Sequence, residues 1–367
     1  MKIGILTQPL WGNYGGILQN YAMQIVLKRL GHTPYTIHYY RQSVTWHFLL
    51  EWIKYIVKCV IRHPNRIYKP QTLHDYKLDK RKYMGGGLFV RKQINTTYSM
   101  DGLSKLAICL YGFDAYIVGS DQTWRPIYNW GDRLYYMYLD FVQDNDSVKK
   151  IAYAASFGVD NWEYSKEQTN KCKELIKKFD AISVREASGI DLCRNYLNAE
   201  AQHVLDPTLL LSADDYRLLI KDKNFDYQGD VCVYILDMTE EKRKLINDYC
   251  NRNNLRWYQV GALLKNGYTS SIESWLAGFD KAKYVITDSF HGSVFSIIFN
   301  KPFVSIGNDV RGMSRFNSLL GVFNLEDRLV SEKDELITIT PPNWEAVNAI
   351  LSEWQKKSIN FLKTNLS

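Results

Sequence analysis

The sequence predicts an α/β protein with two mostly parallel sheets, and three observations carry that expectation. Short apolar runs alternate with stretches of helical periodicity in the first half of the chain. The same alternation begins again near residue 230, and a charged stretch separates the two series. At 367 residues and 46% hydrophobic, the chain can fill two ordinary cores.

Ile3 to Thr7 reads as a buried first strand. Ile17 to Leu30 places Ile17, Leu18, Tyr21, Ile25 and Leu30 at mostly helical spacing and stops at Gly31, where a helix can end in a left-handed residue. Thr36 to Tyr40 is expected to be the second strand, followed by strands at Ala115 to Val118, Ile151 to Ala155 and Ala181 to Val184. From Glu186 to Leu197, Ile190, Cys193 and Leu197 share one helix face. This series, residues 1–211, is expected to form the first unit. Ser212 to Asp230 reads as a surface helix and linker. A second unit over 230–340 then runs through a strand at Val231 to Leu236, a helix at Glu240 to Cys250, a strand at Leu255 to Val260 and a helix at Ile272 to Phe279. It ends with a strand at Tyr284 to Thr287, a helix at Val294 to Phe299 and a strand at Phe303 to Ile306. Residues 343–363 carry Val347, Ile350, Leu351 and Trp354 on one side, and this last helix is expected to pack back on the first unit. No repeat or low-complexity segment is evident.

Composition excludes several classes. The 46 Lys and Arg against 39 Asp and Glu leave +7, which suits an anionic substrate or anionic membrane surface. No tight Lys/Arg run with interleaved aromatics argues for nucleic acid. Gln8 and Pro9 break the first apolar run before a signal-peptide core can form, so a cytoplasmic location is expected. The six cysteines are scattered without a CxxC pair, which argues against a disulfide framework or a zinc site. Residues 46–61 crowd ten large apolar side chains around Glu51, Lys54 and Lys58, too short and too charged to span a bilayer of ~20 apolar residues. With Arg62, His63, Arg66 and Lys69 after it, the segment has two readings: an interfacial helix on anionic lipid, or a helix buried in the fold or in a dimer contact.

The residues with chemistry cluster at strand ends. Asp288-Ser289-Phe290-His291-Gly292-Ser293 joins an apolar strand to an apolar helix, where unpaired N–H groups and an imidazole arrive together. In open α/β sheets, ligands bind beyond the carboxyl ends of the strands. Gly12-Asn13-Tyr14-Gly15-Gly16 follows the first strand without forming a dinucleotide or Walker loop, and reads as a substrate-contacting turn or a tight connection. Asp121, in Gly119-Ser120-Asp121-Gln122-Thr123-Trp124, can orient or deprotonate a sugar hydroxyl or merely cap a turn, and Trp124 can stack on a sugar face. Arg185 opens into the same region, as an anion ligand or as the partner of Glu186. Arg311 and Arg315 lie on a Gly-containing loop where Ser314 is expected to cap the helix Phe316 to Phe323. Taken with these arginines, His291 is the acid/base candidate. The other six histidines have no metal-ligand spacing.

Five motifs in this order, Asn13-Tyr14-Gly15-Gly16, Val118 to Trp124, Ser183-Val184-Arg185-Glu186, Asp206-Pro207-Thr208-Leu209-Leu210 and Asp288-Ser289-Phe290-His291-Gly292, resemble the polysaccharide pyruvyl transferase family. The resemblance spans nearly the whole chain, to about Val330. It implies a GT-B-like fold, two Rossmann-like domains facing across a cleft. It also implies transfer of a pyruvyl group from phosphoenolpyruvate, a co-substrate rather than a cofactor, onto two hydroxyls of a sugar as a cyclic ketal, with no metal. The acceptor would be a sugar or lipid-linked glycan in surface polysaccharide biosynthesis, at the inner face of the cytoplasmic membrane. The family's active-site histidine falls on His291 and a phosphoenolpyruvate-binding arginine on Arg185. Some relatives carry an arginine just ahead of the His-Gly pair. Here Ser289-Phe290 stands there, so Arg311 or Arg315 is expected to take over the donor's charge beside Ser289. Asp121, the turn Asn13 to Gly16 and Trp124 are expected to meet the acceptor. Two other readings remain: a GT-B glycosyltransferase using a nucleotide sugar, and a non-catalytic module that binds lipid-linked glycans at a membrane.

Overall fold

The computed structural model describes residues 1–10, 12–38, 84–97, 108, 110–129, 131–142, 147–261, 269–307, 313–334, 336 and 338–367. The amphipathic segment 46–61 and Arg311 lie outside the described residues.

Two parallel sheets organise the chain, giving two Rossmann-like units. The first contains β1 (Lys2–Leu6), β2 (Thr33–Thr36), β3 (Ala115–Val118), β4 (Lys149–Ala155), β5 (Ala181–Val184) and β6 (Gln202–His203), in the order β2-β1-β3-β4-β5-β6. The second contains β7 (Val231–Tyr234), β8 (Trp257–Gln259), β9 (Tyr284–Thr287), β10 (Phe303–Ile306) and β11 (Leu329–Val330), in the order β11-β10-β9-β7-β8. In each sheet the first strand lies between the second and the third. The connections therefore leave in opposite directions at β1/β3 and at β7/β9, and such a switch point opens a crevice beyond the strand ends.

Around the first sheet lie α1 (Tyr14–Arg29), α2 (Met84–Gln93), α3 (Arg133–Tyr136), α4 (Lys166–Ile176) and α5 (Ser188–Leu192), which runs into a π turn at Cys193–Leu197. The short α6 (Ala213–Arg217) leads to the second unit, with α7 (Glu240–Arg252), α8 (Ile272–Lys281), α9 (Phe290–Ile298) and α10 (Ser314–Phe323). Last comes α11 (Trp344–Leu366). Caps set many of the starts. Asn13 accepts from Gly16 N on α1, Ser165 and Gln168 form a reciprocal capping box on α4, and Thr239 caps α7.

Four expectations need correction. The second strand is Thr33–Thr36, because the turn through Gly31 (φ 84°) is short and Lys2 to Ile5 pair in register with Thr33 to Thr36. Ser212 to Asp230 holds only the single turn α6, capped by Ser212 and Asp215. Helix α9 starts at Phe290 rather than Val294, so His291 belongs to its first turn. Ser314 does not cap α10; it is the first helical residue, and its hydroxyl donates to Gly158 O at 3.3 Å.

One apolar core runs through both units. Ile3, Ile17 and Tyr153 of the first belong to the same buried cluster as Trp275, Phe295 and Phe316 of the second. Tyr14 stacks on Trp275 with ring centroids 5.7 Å apart, and its hydroxyl donates to Ser270 O at 2.8 Å. Helix α11 lies on the first unit: Phe361 meets Tyr153 at 6.1 Å, Ser358 Oγ accepts from Leu205 N, and Gln355 Nε2 donates to Leu209 O. His203 of β6 joins these elements. Its Nε2 donates to Arg185 O at 3.0 Å, and its ring meets Trp354 of α11 edge-on at 4.9 Å.

Burial pushes the His203 imidazole down to about 4, partly countered by its bond to the Arg185 carbonyl. A folded-state value below the unfolded one gives stability that is complete above about pH 6.5 and is lost as pH falls toward 4, because the unfolded chain then binds the extra proton. Denaturant midpoints of the full chain are expected to fall across that window, and His203→Gln is expected to flatten the fall. An unchanged slope in the variant would remove His203 as the cause.

Candidate active site

The strand ends of the two sheets meet at one buried polar cluster. On the first sheet, β3 runs into Gly119-Ser120-Asp121. Ser120 N donates to Gln19 Oε1 at 3.1 Å and Thr7 Oγ1 donates to Ser120 O at 2.9 Å, so α1 and the end of β1 fix this turn. Asp121 is held at φ 73°, a left-handed conformation that costs a non-glycine residue energy and that sites often retain. Its carboxylate accepts from Asn13 Nδ2 at 3.3 Å, while Asn13 Oδ1 caps α1.

Asp206, just after β6, is the hub. Its Oδ1 accepts from Thr208 N and Thr208 Oγ1 at 3.0 and 2.7 Å. Its Oδ2 accepts from Ser120 Oγ at 3.1 Å and Arg185 Nη1 at 2.9 Å. Arg185 also donates from Nε to Glu186 Oε1 at 3.0 Å, and its Nη2 lies 3.6 Å from Asp121 Oδ1. Burial alone would raise the Asp206 carboxyl, but His291, Arg185 and Thr208 together hold it well below the usual carboxylate range. Arg185 is the mirror case: burial opposes its charge, and Glu186, Asp206 and Asp121 overcome that opposition.

The second sheet brings His291. Asp288 is spent on structure: it accepts from Leu236 N at 2.7 Å and from Asp237 N at 3.3 Å, and it pairs with buried Lys242 at 2.8 Å. This pair anchors the β9–α9 turn to β7 and α7. Helix α9 then points its first turn at the first unit. His291 Nε2 stands 3.8 Å from Asp206 Oδ2, and the ring rests on Gly15, where a Cβ would come within 2.0 Å of Nδ1. Gly15 is thus where the two switch points touch. Phe290 carries Arg185 over its ring at 4.5 Å and Arg315 at 5.9 Å. Burial, with Arg185 nearby, pushes the Arg315 guanidinium down to about 10.

The structure therefore brings Asn13, Gly15, Asp121, Arg185, His291 and Arg315 together. Ser289 stands at the N-cap of α9 without capping it through its side chain, and Gly16 serves Asn13's cap of α1. Two expectations do not survive. Trp124 is wholly buried: it stacks on Tyr138 at 4.9 Å and donates from Nε1 to Met137 O, so no sugar can reach its face. Tyr14 is buried, stacked on Trp275 with its hydroxyl donating to Ser270 O, so it serves the contact between the two units. Glu186 is the partner of Arg185 that the sequence offered, whereas Asp206 and Phe290 were given no role by it: β6, which ends at His203 three residues before Asp206, is only two residues long and leaves no apolar run to read. Among the described residues, no group of three or more His, Cys, Asp or Glu side chains is placed to hold a metal. None of the described helices is long and apolar enough to cross a membrane.

A family model described as polysaccharide pyruvyl transferase matches residues 13–310. No curated protein matches the chain. Among solved structures, UDP-GlcNAc 2-epimerase from Neisseria meningitidis bound to UDP-GlcNAc is similar at a TM-score of 0.48 and 9% identity, covering 98% of this chain and 94% of that one. The UDP-GlcNAc 2-epimerase from Methanocaldococcus jannaschii gives 0.47 and 10%, covering 96% and 92%. MurG from Acinetobacter baumannii gives 0.41 and 9%, covering 98% and 94%.

Removing Lys242 would leave the Asp288 charge buried and unpaired. Lys242→Met is expected to lower stability by about 3–5 kcal/mol in denaturant unfolding. A change under about 1 kcal/mol would show that water reaches Asp288 and that the pair does not hold the β9–α9 turn.

Proposed function

The chain belongs to the polysaccharide pyruvyl transferase family, and from that membership we propose that it moves a pyruvyl group from phosphoenolpyruvate to two hydroxyls of one sugar as a cyclic ketal. The observation that carries the reading is the placement of His291, in the first turn of α9, 3.8 Å from the ionised Asp206 and edge-on to Phe290, whose ring carries two guanidinium groups. An enol ether reacts when a proton reaches its methylene carbon, and this cluster offers an imidazole for the proton and cations for the donor's charge.

In this reading His291 gives its proton to the methylene carbon, leaving an oxocarbenium-like centre. One sugar hydroxyl attacks that carbon and its proton returns to the imidazole. The C–O bond to phosphate breaks with its electron pair going to phosphate, and the second hydroxyl closes the ketal as its proton leaves with phosphate. Arg315 and the Nη2 of Arg185, which makes no hydrogen bond in the structure, would hold the donor's carboxylate and phosphate beside Ser289. The pairing of Arg315 and Arg185 with one aromatic ring accounts for Phe290, where some relatives carry an arginine. Asp121, steadied by Asn13, would orient the acceptor hydroxyls. This chemistry calls on no cofactor. A lipid-linked glycan acceptor would place the protein at the inner face of the cytoplasmic membrane.

Ligands that bind only the native state raise its apparent stability. Phosphoenolpyruvate is expected to raise the melting temperature of the full chain, and UDP or a UDP-sugar is not. The reverse result would favour a nucleotide-sugar glycosyltransferase. His291→Gln is expected to cost about 10²–10⁴-fold or more in turnover while keeping the thermal shift from phosphoenolpyruvate. Wild-type-like turnover in that variant would remove His291 as the acid.

A further inference from the structure

The two nitrogens of His291 have unlike surroundings. Nε2 is inaccessible to solvent, makes no hydrogen bond, and faces Asp206 Oδ2 at 3.8 Å. His291 as a residue is 6% exposed, and Nε2 is among its buried atoms. Nδ1 is on the side of the ring that rests on Gly15, where a Cβ would come within 2.0 Å of it. We propose that Asp206 is a positioning residue that holds His291 through Nε2, leaving Nδ1 as the atom that exchanges a proton with the donor. This rests on the reading of His291 as the acid.

Three features support the assignment. Asp206 is fixed independently of His291, by the Thr208 amide and hydroxyl, Ser120 Oγ and Arg185 Nη1, so its position does not depend on the ring it faces. It is held ionised, which makes it a strong acceptor for an N–H. Gly15 carries no side chain on the Nδ1 side, and a methyl group there would displace the ring from its seat. Among the described residues, the charged groups of the cluster that holds the imidazole are Asp206, Arg185, Glu186, Asp121 and Arg315. Of these, Asp206 meets the ring at Nε2, 3.8 Å away, while Arg185 and Arg315 lie over the ring of Phe290, which meets the imidazole edge-on at 5.1 Å. Asp206 thereby does for His291 what a carboxylate does for a metal-bound or catalytic histidine elsewhere: it fixes which nitrogen carries the hydrogen.

The test is nitrogen NMR of the full chain labelled with 15N-histidine, the seven histidines being sorted by comparison with His291→Gln. The neutral His291 ring is expected as the Nε2–H tautomer, and saturating phosphoenolpyruvate is expected to move the Nδ1 resonance while inorganic phosphate does not. In Asp206→Asn the single tautomer is expected to become a mixture, and Asp206→Glu is expected to restore it. The wild-type spectra decide the matter even where Asp206→Asn does not fold. An Nδ1–H tautomer, or a response to phosphoenolpyruvate at Nε2 alone, overturns the inference and leaves the pyruvyl transfer reading standing. A response at neither nitrogen, in a sample whose melting temperature phosphoenolpyruvate raises, overturns His291 as the acid as well.

Discussion

A carboxylate buried where water cannot reach it must be paired or neutralised, and Asp206 is paired on every side. Its two oxygens collect the Thr208 amide and hydroxyl, the Ser120 hydroxyl and the Arg185 guanidinium, and Nε2 of His291 stands 3.8 Å away. Those groups come from the ends of β3, β5 and β6 and from α9, so satisfying one charge fixes four segments of chain relative to one another. Arg185 transmits the constraint further, since the same guanidinium reaches Glu186 and Asp121 and lies on Phe290. The site is less a set of residues lining a cleft than one charge network closed across two sheets.

Much of the framework was legible because it rests on short-range pattern. Ala115 to Val118, Ala181 to Val184, Tyr284 to Thr287 and Phe303 to Ile306 are continuous apolar runs between polar or turn-forming neighbours, and each is a strand with those bounds. The errors have physical causes. The second strand begins at Thr33 rather than Thr36 because β2 is placed by its register against Lys2 to Ile5, which no local propensity reports. The first turn of α9 reads as loop because Ser289, His291 and Gly292 are not helix formers in isolation; β9 and α7, through Asp288 and Lys242, set where the helix begins.

Which residues sit at strand ends was legible for the same reason, and so were His291, Arg185 and Asp121 as candidates. Their partners were not, because pairing across the two units is a property of the folded topology. Trp124 illustrates the limit: its place after Asp121 suggested a sugar platform, yet Tyr138, Phe157 and Met137 enclose it as core. Phe290 illustrates the converse. An aromatic residue standing where a cation was expected turns out to seat two cations contributed by other elements.

Helix α11 has a consequence for the order in which the molecule can be assembled. Phe361, Ser358 and Gln355 cover Tyr153, Leu205 and Leu209 of the first unit, but they follow the whole second sheet in the chain. During synthesis the first unit thus emerges with an open apolar face over β4, and it keeps that face until β7 to β11 have been made and residues 344–366 can return. Until then the segment around Asp206 lacks the bond from Leu205 to Ser358 that closes it from behind. A chain that stops short of residue 344 therefore lacks one of the contacts that enclose the Asp206 segment.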